Sequence, residues 1–68
     1  MVKKIIPLAA MERIMKKAGA KRVSEDAKET LRDVLEEFGI EVSEAAIKFA
    51  FHTGRKTVKA EDIKLATR

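Results

Sequence analysis

One apolar stripe in this sequence is longer than a chain of 68 residues can bury by itself. From Ser24 to Thr53, apolar side chains recur every three or four residues, which places them on one face of an α-helix. Such a helix is about 44 Å long, whereas a compact chain of this length is less than roughly 30 Å across. The stripe therefore predicts a second copy that crosses the first and covers it. The residues expected in this dimer core are Leu31, Val34, Leu35, Phe38, Val42, Ala45 and Phe49.

Gly39 is the main objection to one continuous helix, since Glu-Glu-Phe-Gly also fits a helix that ends there. A glycine inside a helix costs about 1 kcal/mol relative to alanine, which a two-chain apolar interface offsets several times over. The stripe also stays in phase, because Phe38, Val42 and Ala45 are separated by four and three residues. We expect the helix to continue and attribute the glycine to the close approach of two crossing backbones.

Proline, glycine and serine divide the chain into three helices. Pro7 suits the first turn of a helix, and Gly19 suits its end. Ser24 is a typical N-cap residue for the long helix, which Gly54 terminates. The pattern predicts an all-α fold in a single domain, residues 1–68, with no strand longer than a residue pair. The predicted helices span about residues 8–17, 25–53 and 60–67.

Composition excludes several classes of protein. Cysteine is absent, so neither disulfides nor thiolate metal sites can stabilise so small a chain. Oligomerisation remains as a source of stability. The apolar run from Ile5 to Met11 is short and contains Pro7, which argues against a secretory signal or membrane span and favours an intracellular protein. With one histidine, His52, we expect no metal site, no cofactor and no enzyme activity. The carboxylates expected to form a solvated acidic face are Asp33, Glu37, Glu41 and Glu44.

Charge is distributed unevenly along the chain, whose net charge is +4. Residues 1–22 carry seven basic and one acidic side chain, and residues 55–68 carry five basic and two acidic. Residues 23–54, by contrast, carry three basic and eight acidic side chains. A polyanion would therefore bind the ends and loops, not the exposed side of the long helix. Solubility alone also explains some segregation, so charge by itself leaves polyanion binding open.

Four segments of the sequence are distinctive: residues 18–24 (AGAKRVS), 36–39 (EEFG), 44–48 (EAAIK) and, above all, 52–63 (HTGRKTVKAEDI). Together they resemble an archaeal histone. The similarity extends from Pro7 onward. It implies a histone fold, an obligate dimer in which the long helices cross in a handshake, with double-stranded DNA bound across the outer edge. The implied function is an architectural protein of the prokaryotic chromosome or nucleoid that bends and compacts DNA largely without sequence specificity.

The resemblance also implies which residues contact DNA. In a head-to-tail dimer the first loop of one chain lies beside the second loop of the other. Arg22 then enters the minor groove, while Lys56 and Thr57 contact phosphates. No helix rich in Asn, Gln and Arg is present to read bases, so DNA deformability should set any preference. The expected DNA-binding residues are Arg13, Lys16, Lys17, Lys21, Arg22, Arg55, Lys56, Thr57 and Lys59, although a solvated surface charge explains Lys16, Lys17 and Lys59 equally well.

Two further contacts follow from the resemblance. Arg55 and Asp62 would form an internal salt bridge that shapes the second loop. His52 would meet Asp62 of another dimer, which builds tetramers or longer arrays and makes assembly sensitive to pH. Phe51 stands where the family usually has arginine, and the sequence stops at Arg68 without the basic tail that often follows, which puts extended wrapping in doubt. The expected dimer–dimer interface comprises Phe49, Phe51, His52, Asp62 and Leu65.

Two functions from different classes remain at this point. The first is an architectural DNA-binding histone, as a homodimer or as a heterodimer with a paralogue. The alternative is a histone-fold dimerisation module of a transcription or repair assembly, with weak DNA contact. Arg22 and the complete Arg55-Lys56-Thr57 turn favour the first function.

Overall fold

The computed structural model describes residues 4–68, so residues 1–3 of the predicted domain lie outside the described part. Its three helices are α1 (Leu8–Lys17), α2 (Glu25–His52) and α3 (Ala60–Ala66). No strand occurs within residues 4–68, so the all-α class and the short, long, short order are confirmed. Helix α2 continues through Gly39 and, like α3, ends one residue earlier than its predicted bound.

Helices α1 and α2 begin with different capping residues. Pro7 is the N-cap of α1, with φ −67° and ψ 145°, so the prediction that it lies in the first turn is wrong by one position. Its extended ψ places it just outside the helix, where its carbonyl accepts the Ala10 N–H at 3.2 Å. At the start of α2, the Ser24 hydroxyl accepts the Ala27 N–H at 3.1 Å, which satisfies one N–H that the helix leaves unpaired.

Helices α1 and α2 end in the same backbone motif. After α1, Gly19 has φ 117°, and the Ala20 N–H donates to the Met15 carbonyl at 3.0 Å. After α2, Gly54 has φ 73°, and the Arg55 N–H donates to the Ala50 carbonyl at 3.0 Å. These are Schellman motifs, which require a left-handed residue and therefore favour glycine. The two segments that follow are named loop 1 (residues 18–24) and loop 2 (residues 53–59).

The chain divides into two compact units, one ending at Glu37 and one beginning at Phe38. In the first unit, Met11 is buried and ion pairs tie α1 to α2. The Glu12 carboxylate lies 3.0 Å from the Lys28 ammonium and 3.1 Å from that of Lys16. The Lys28 ammonium is also 3.2 Å from the Glu25 carboxylate. The hydrogen bond from Lys28 is the main reason that the pKa of Glu12 is lowered, so Glu12 is held in its charged form.

The segment before α1 is held against α2 by two carboxylates one turn apart. Glu36 Oε2 accepts the N–H groups of Ile5 at 2.6 Å and Ile6 at 2.7 Å. Lys4 forms an ion pair with Asp33. The two backbone hydrogen bonds, first that from Ile6, lower the pKa of Glu36, although burial acts in the opposite direction. Within the first unit, these contacts fix the direction in which the chain enters α1.

The second unit buries small residues and one carboxylate. Ala46 and Ala50, one helical turn apart on α2, expose 0 and 2% of their surfaces, and Asp62 of α3 exposes 1%. Ala46 and Ala50 mark the buried side of α2 in this unit. A buried carboxylate requires compensating donors, and loop 2 supplies them.

Candidate nucleic-acid interface

Loop 1 presents two adjacent basic residues in a segment shaped by its own backbone. Gly19 starts the loop with a left-handed turn, and the Ser24 cap ends it at α2. Lys21 and Arg22 lie between these two points and are both exposed. The glycine and the serine therefore fix where the two cations lie, and within residues 4–68 neither cation forms a side-chain hydrogen bond or ion pair.

Loop 2 is held from inside by Arg55. Its Nη1 donates to the Thr57 carbonyl at 2.9 Å and to Asp62 Oδ2 at 3.1 Å, and its Nη2 donates to Asp62 Oδ1 at 2.9 Å. The Lys59 N–H donates to Asp62 Oδ2 at 2.8 Å. One carboxylate thus fastens the loop and also caps the first turn of α3. The arrangement fixes the turn that carries Lys56 and Thr57, both exposed.

Asp62 stays ionised in spite of its burial. Its pKa is lowered first by the side-chain hydrogen bond from Arg55 and then by the N–H of Lys59, while burial opposes the shift. Charge-assisted hydrogen bonds replace the water that the carboxylate has lost. An exposed ion pair would add little to stability. The bidentate pair of Arg55 and Asp62 instead determines the shape of loop 2.

The other basic residues expected to contact DNA differ in their surroundings. Arg13 and Lys17 are four residues apart on α1 and line a shallow groove with Ile14. Lys16 is paired with Glu12, so part of its charge is already neutralised within the chain. Arg55 is half-buried because its guanidinium faces Asp62. The exposed members of the predicted set are Arg13, Lys16, Lys17, Lys21, Arg22, Lys56, Thr57 and Lys59.

The stripe predicted to form the dimer core is only partly covered within residues 4–68. Val34, Phe38 and Phe49 expose 56, 56 and 38% of their surfaces. The other members of the stripe are half-buried, namely Leu31, Leu35, Val42 and Ala45. Large apolar side chains left exposed on one face of a helix mark a contact surface, since a lone soluble chain rarely leaves several of them in water.

The residues expected between dimers have mixed surroundings. Phe49, Phe51, His52 and Leu65 are exposed, whereas Asp62 is buried beneath its bonds to loop 2. Asp62 Oδ2 already accepts two hydrogen bonds and Oδ1 accepts one. Oδ1 thus retains one lone pair for a further donor, although almost none of its surface is accessible.

Two charged residues in the first unit were not anticipated from the sequence. Lys28, with only 15% of its side chain exposed, joins Glu12 of α1 to Glu25. Glu36 holds the segment before α1, as described above. Periodicity marks both positions only as polar residues of a helix, so no sequence signal distinguishes them from solvated charges.

The chemistry available at the two loops is that of cations and backbone N–H groups, which bind phosphate without reading bases. Within residues 4–68 no group of three His, Asp or Glu side chains is arranged to hold a metal ion. None of the helices described in this range is long and apolar enough to cross a membrane.

Comparison with known proteins identifies the family. Residues 4–67 match the model of the family described as histone-like transcription factor (CBF/NF-Y) and archaeal histone. The chain is 56% identical to one of the subunits of archaeal histone HAN1 of Thermococcus zilligii and 48% identical to probable archaeal histone 3 of Methanocaldococcus jannaschii. Each similarity covers 93% of this chain and 94% of the relative. The chain therefore belongs to this family of histone-like transcription factors and archaeal histones, as an architectural DNA-binding protein with a histone fold and not an enzyme.

Proposed function

We propose that two copies of this chain form a handshake dimer that binds double-stranded DNA through its basic loops and N-terminal helices, and bends and compacts it with little sequence preference. The uncovered dimer-core stripe is the observation that carries the proposal. Burying Val34, Phe38 and Phe49, which are 56, 56 and 38% exposed, against a second copy removes these apolar side chains from water. Such a dimer acts on the DNA of the nucleoid.

Gly39 supports the crossing of two helices. A Cβ at this position would meet no atom of residues 4–68 within 4 Å beyond the adjoining helix backbone, so no contact within the described chain explains a glycine in the middle of α2. We propose that the partner backbone passes closest here. Gly39→Ala should therefore weaken the dimer, measured as a higher dissociation constant in sedimentation. In the absence of a close crossing, helix propensity would make the same change stabilising by up to about 1 kcal/mol.

The proposed DNA contacts combine the two loops with α1. In the dimer, loop 1 of one chain lies beside loop 2 of the other, so each end presents Lys21 and Arg22 together with Lys56 and Thr57. Arg13 adds a phosphate contact near the paired starts of the two first helices. The remaining proposed contacts are outer ones made by Lys16, Lys17 and Lys59, with Arg55 holding loop 2 from within.

Binding should be governed by the phosphate backbone. A dimer that neutralises about six to ten phosphates has a log–log salt slope of roughly −5 to −9. Minor-groove insertion of Arg22 and bending of the duplex favour easily deformed DNA over any particular sequence. Strong discrimination between random duplexes that persists at moderate salt would contradict this mode of binding.

The test is a titration of a short random duplex with Arg22→Ala, Lys56→Ala and Lys64→Ala variants. Lys64 is an exposed lysine on α3 outside the proposed interface and serves as the matched control. Because each dimer carries two copies, Lys56→Ala should reduce the magnitude of the salt slope by about two, whereas Lys64→Ala should leave it unchanged. Unchanged binding by both loop variants would instead favour the dimerisation module with weak DNA contact.

We propose a homodimer as the basic particle, with tetramers or longer arrays formed on DNA. His52 of one dimer would contact Asp62 of another, with Phe49 and Leu65 around them. One similar protein is named as a subunit of an archaeal histone, and a subunit name suggests more than one kind of chain. A heterodimer with a paralogue is therefore the second candidate. Mass spectrometry under native conditions distinguishes the two when a paralogue is supplied in equal amount.

A further inference from the structure

A second apolar stripe lies on α2 within the second unit. Ile40, Ile47 and Phe51 expose 43, 43 and 67% of their surfaces. Their spacing of seven and four residues places them on the same side of the helix. Ile47 and Phe51 line a shallow groove together with Glu44 and Lys48. These five residues are named the outer stripe.

Helix geometry separates the outer stripe from the dimer core. At about 100° per residue, Phe51 is turned about 200° from Phe49 of the core. Ala46 and Ala50, which are buried, mark a third side of α2. A partner helix lying along the dimer core therefore leaves the outer stripe in water. A row of apolar side chains that neither its own unit nor a partner helix covers marks a further contact surface.

We propose that the outer stripe joins two copies of this chain from different dimers, packed antiparallel about a two-fold axis. The proposal rests on the dimer proposed above. The stripe is self-complementary in this orientation, as an isologous contact requires. With the axis midway between positions 45 and 46, Ile40 lies level with the partner's Phe51, and the two Ile47 side chains lie about 4.5 Å apart along the helix.

The charged members of the stripe favour the same orientation. In the antiparallel register, Glu44 lies within about 1.5 Å, along the helix, of the partner's Lys48. A parallel, in-register packing would place Glu44 beside Glu44 and Lys48 beside Lys48. Like charges in such positions repel, so the pair selects the antiparallel arrangement.

The size of the stripe limits when the contact forms. Three apolar side chains per copy cover much less than the roughly 800 Å² per partner of a standard stable interface. The contact is therefore weak between free dimers. DNA that carries several dimers raises their local concentration to the millimolar range, where a weak contact becomes populated. The outer stripe thus makes binding cooperative along the duplex and leaves the binding of a single dimer unchanged.

The first test compares a short duplex that holds one dimer with a long duplex that holds many. Ile40→Gln/Ile47→Gln removes the apolar contact without changing net charge, and Thr30→Gln, an exposed position of α2 in the first unit, is the matched control. We expect affinity for the short duplex within about twofold of the parent and cooperativity on the long duplex reduced about fivefold or more. Parental cooperativity in the double variant would overturn the proposal.

Loss of the dimer itself in the double variant would also overturn it, because that result places Ile40 and Ile47 in the dimer core. Failure of the parent protein to bind the short duplex would instead refute the DNA-binding function proposed above. The two failures are thereby distinguishable. His52 and Leu65 are unchanged in the variant, so the contact proposed through them remains intact.

A charge swap tests the register. Glu44→Lys and Lys48→Glu should each reduce cooperativity on the long duplex, and the double swap, which restores both the pairing and the net charge, should recover most of it. Failure of the double swap to recover cooperativity would overturn the antiparallel register. Because the chain has no cysteine, Ile47→Cys allows specific cross-linking on DNA with a short bis-maleimide. Once the DNA is removed, a four-chain particle supports the contact and a two-chain particle contradicts it.

Discussion

Loop 1 and loop 2 start alike and are held differently. Each follows a helix closed by a glycine with positive φ and the same pair of backbone hydrogen bonds. The residue directly after the glycine is Ala20 in loop 1 and Arg55 in loop 2. Only Arg55 reaches across its loop, to Asp62 seven residues away. Loop 1 is therefore shaped by its backbone and a cap, whereas the shape of loop 2 depends on one ion pair.

The largest expected effect comes from breaking that pair. Asp62→Asn removes the charge that Arg55 faces and weakens the acceptor for the Lys59 N–H. We expect Tm to fall by about 10 °C or more and DNA affinity to fall with it, because a half-buried guanidinium is left without its counter-charge. Glu61→Gln, an exposed neighbour with the same change in charge, is the control. Equal Tm values for the two variants would show that the ion pair does not hold loop 2.

Lowering the pH should destabilise loop 2 more than loop 1, because loop 2 depends on the ionised carboxylate of Asp62. The pKa of Asp62 is lowered by Arg55, so the folded chain binds fewer protons than the unfolded chain and stability rises with pH. This stabilisation is complete above the ordinary carboxyl pKa of about 4 and is lost as pH falls through the folded value. Glu36, whose pKa the N–H groups of Ile5 and Ile6 lower, contributes in the same direction.

We expect Tm to be nearly constant from pH 7 to about pH 5 and to fall steeply below about pH 4. Because the lowered pKa of Asp62 is one cause of this fall, Asp62→Asn should make the decrease of Tm below pH 4 less steep. Glu36→Gln should also make it less steep, independently of Asp62→Asn. Thermal melts followed by circular dichroism at each pH measure both effects. An acid limb of parental steepness in both variants would assign the acid sensitivity elsewhere.

The smallest expected effect tests loop 1. Ser24→Ala removes the hydroxyl that accepts the Ala27 N–H and should cost about 1 kcal/mol of unfolding free energy. Affinity for a short duplex should change by less than about twofold, since the Gly19 turn still directs the loop. Ser43→Ala, at an exposed position inside α2, is the matched control and should not destabilise. A loss of DNA affinity as large as that of Asp62→Asn would remove the distinction between the two loops.

The same contrast explains how much the sequence could predict. Gly19, Gly54 and Ser24 act on backbone groups within a few residues, so their patterns located the helices and both loops. Pro7 was misplaced by one position, because the pattern does not distinguish the N-cap from the first turn. The pairing of Arg55 with Asp62 followed from family resemblance and not from periodicity.

Contacts between residues that are far apart in the sequence could not be predicted from it. Glu36 lies about thirty residues from the N–H groups of Ile5 and Ile6 that it accepts, and Lys28 joins Glu12 to Glu25 across two helices. A helical pattern marks such residues only as polar, since it contains no information on which neighbour the fold brings to them. The exposed stripe on α2, by contrast, was predictable because periodicity and length state directly that one chain cannot cover it.

Dimer formation can be measured by sedimentation equilibrium at micromolar concentration without DNA. We expect a particle of about 15 kDa, twice the 7.6 kDa of the chain, with unfolding that shifts to higher temperature as protein concentration rises. A folded particle of 7.6 kDa whose Tm does not depend on concentration would contradict it.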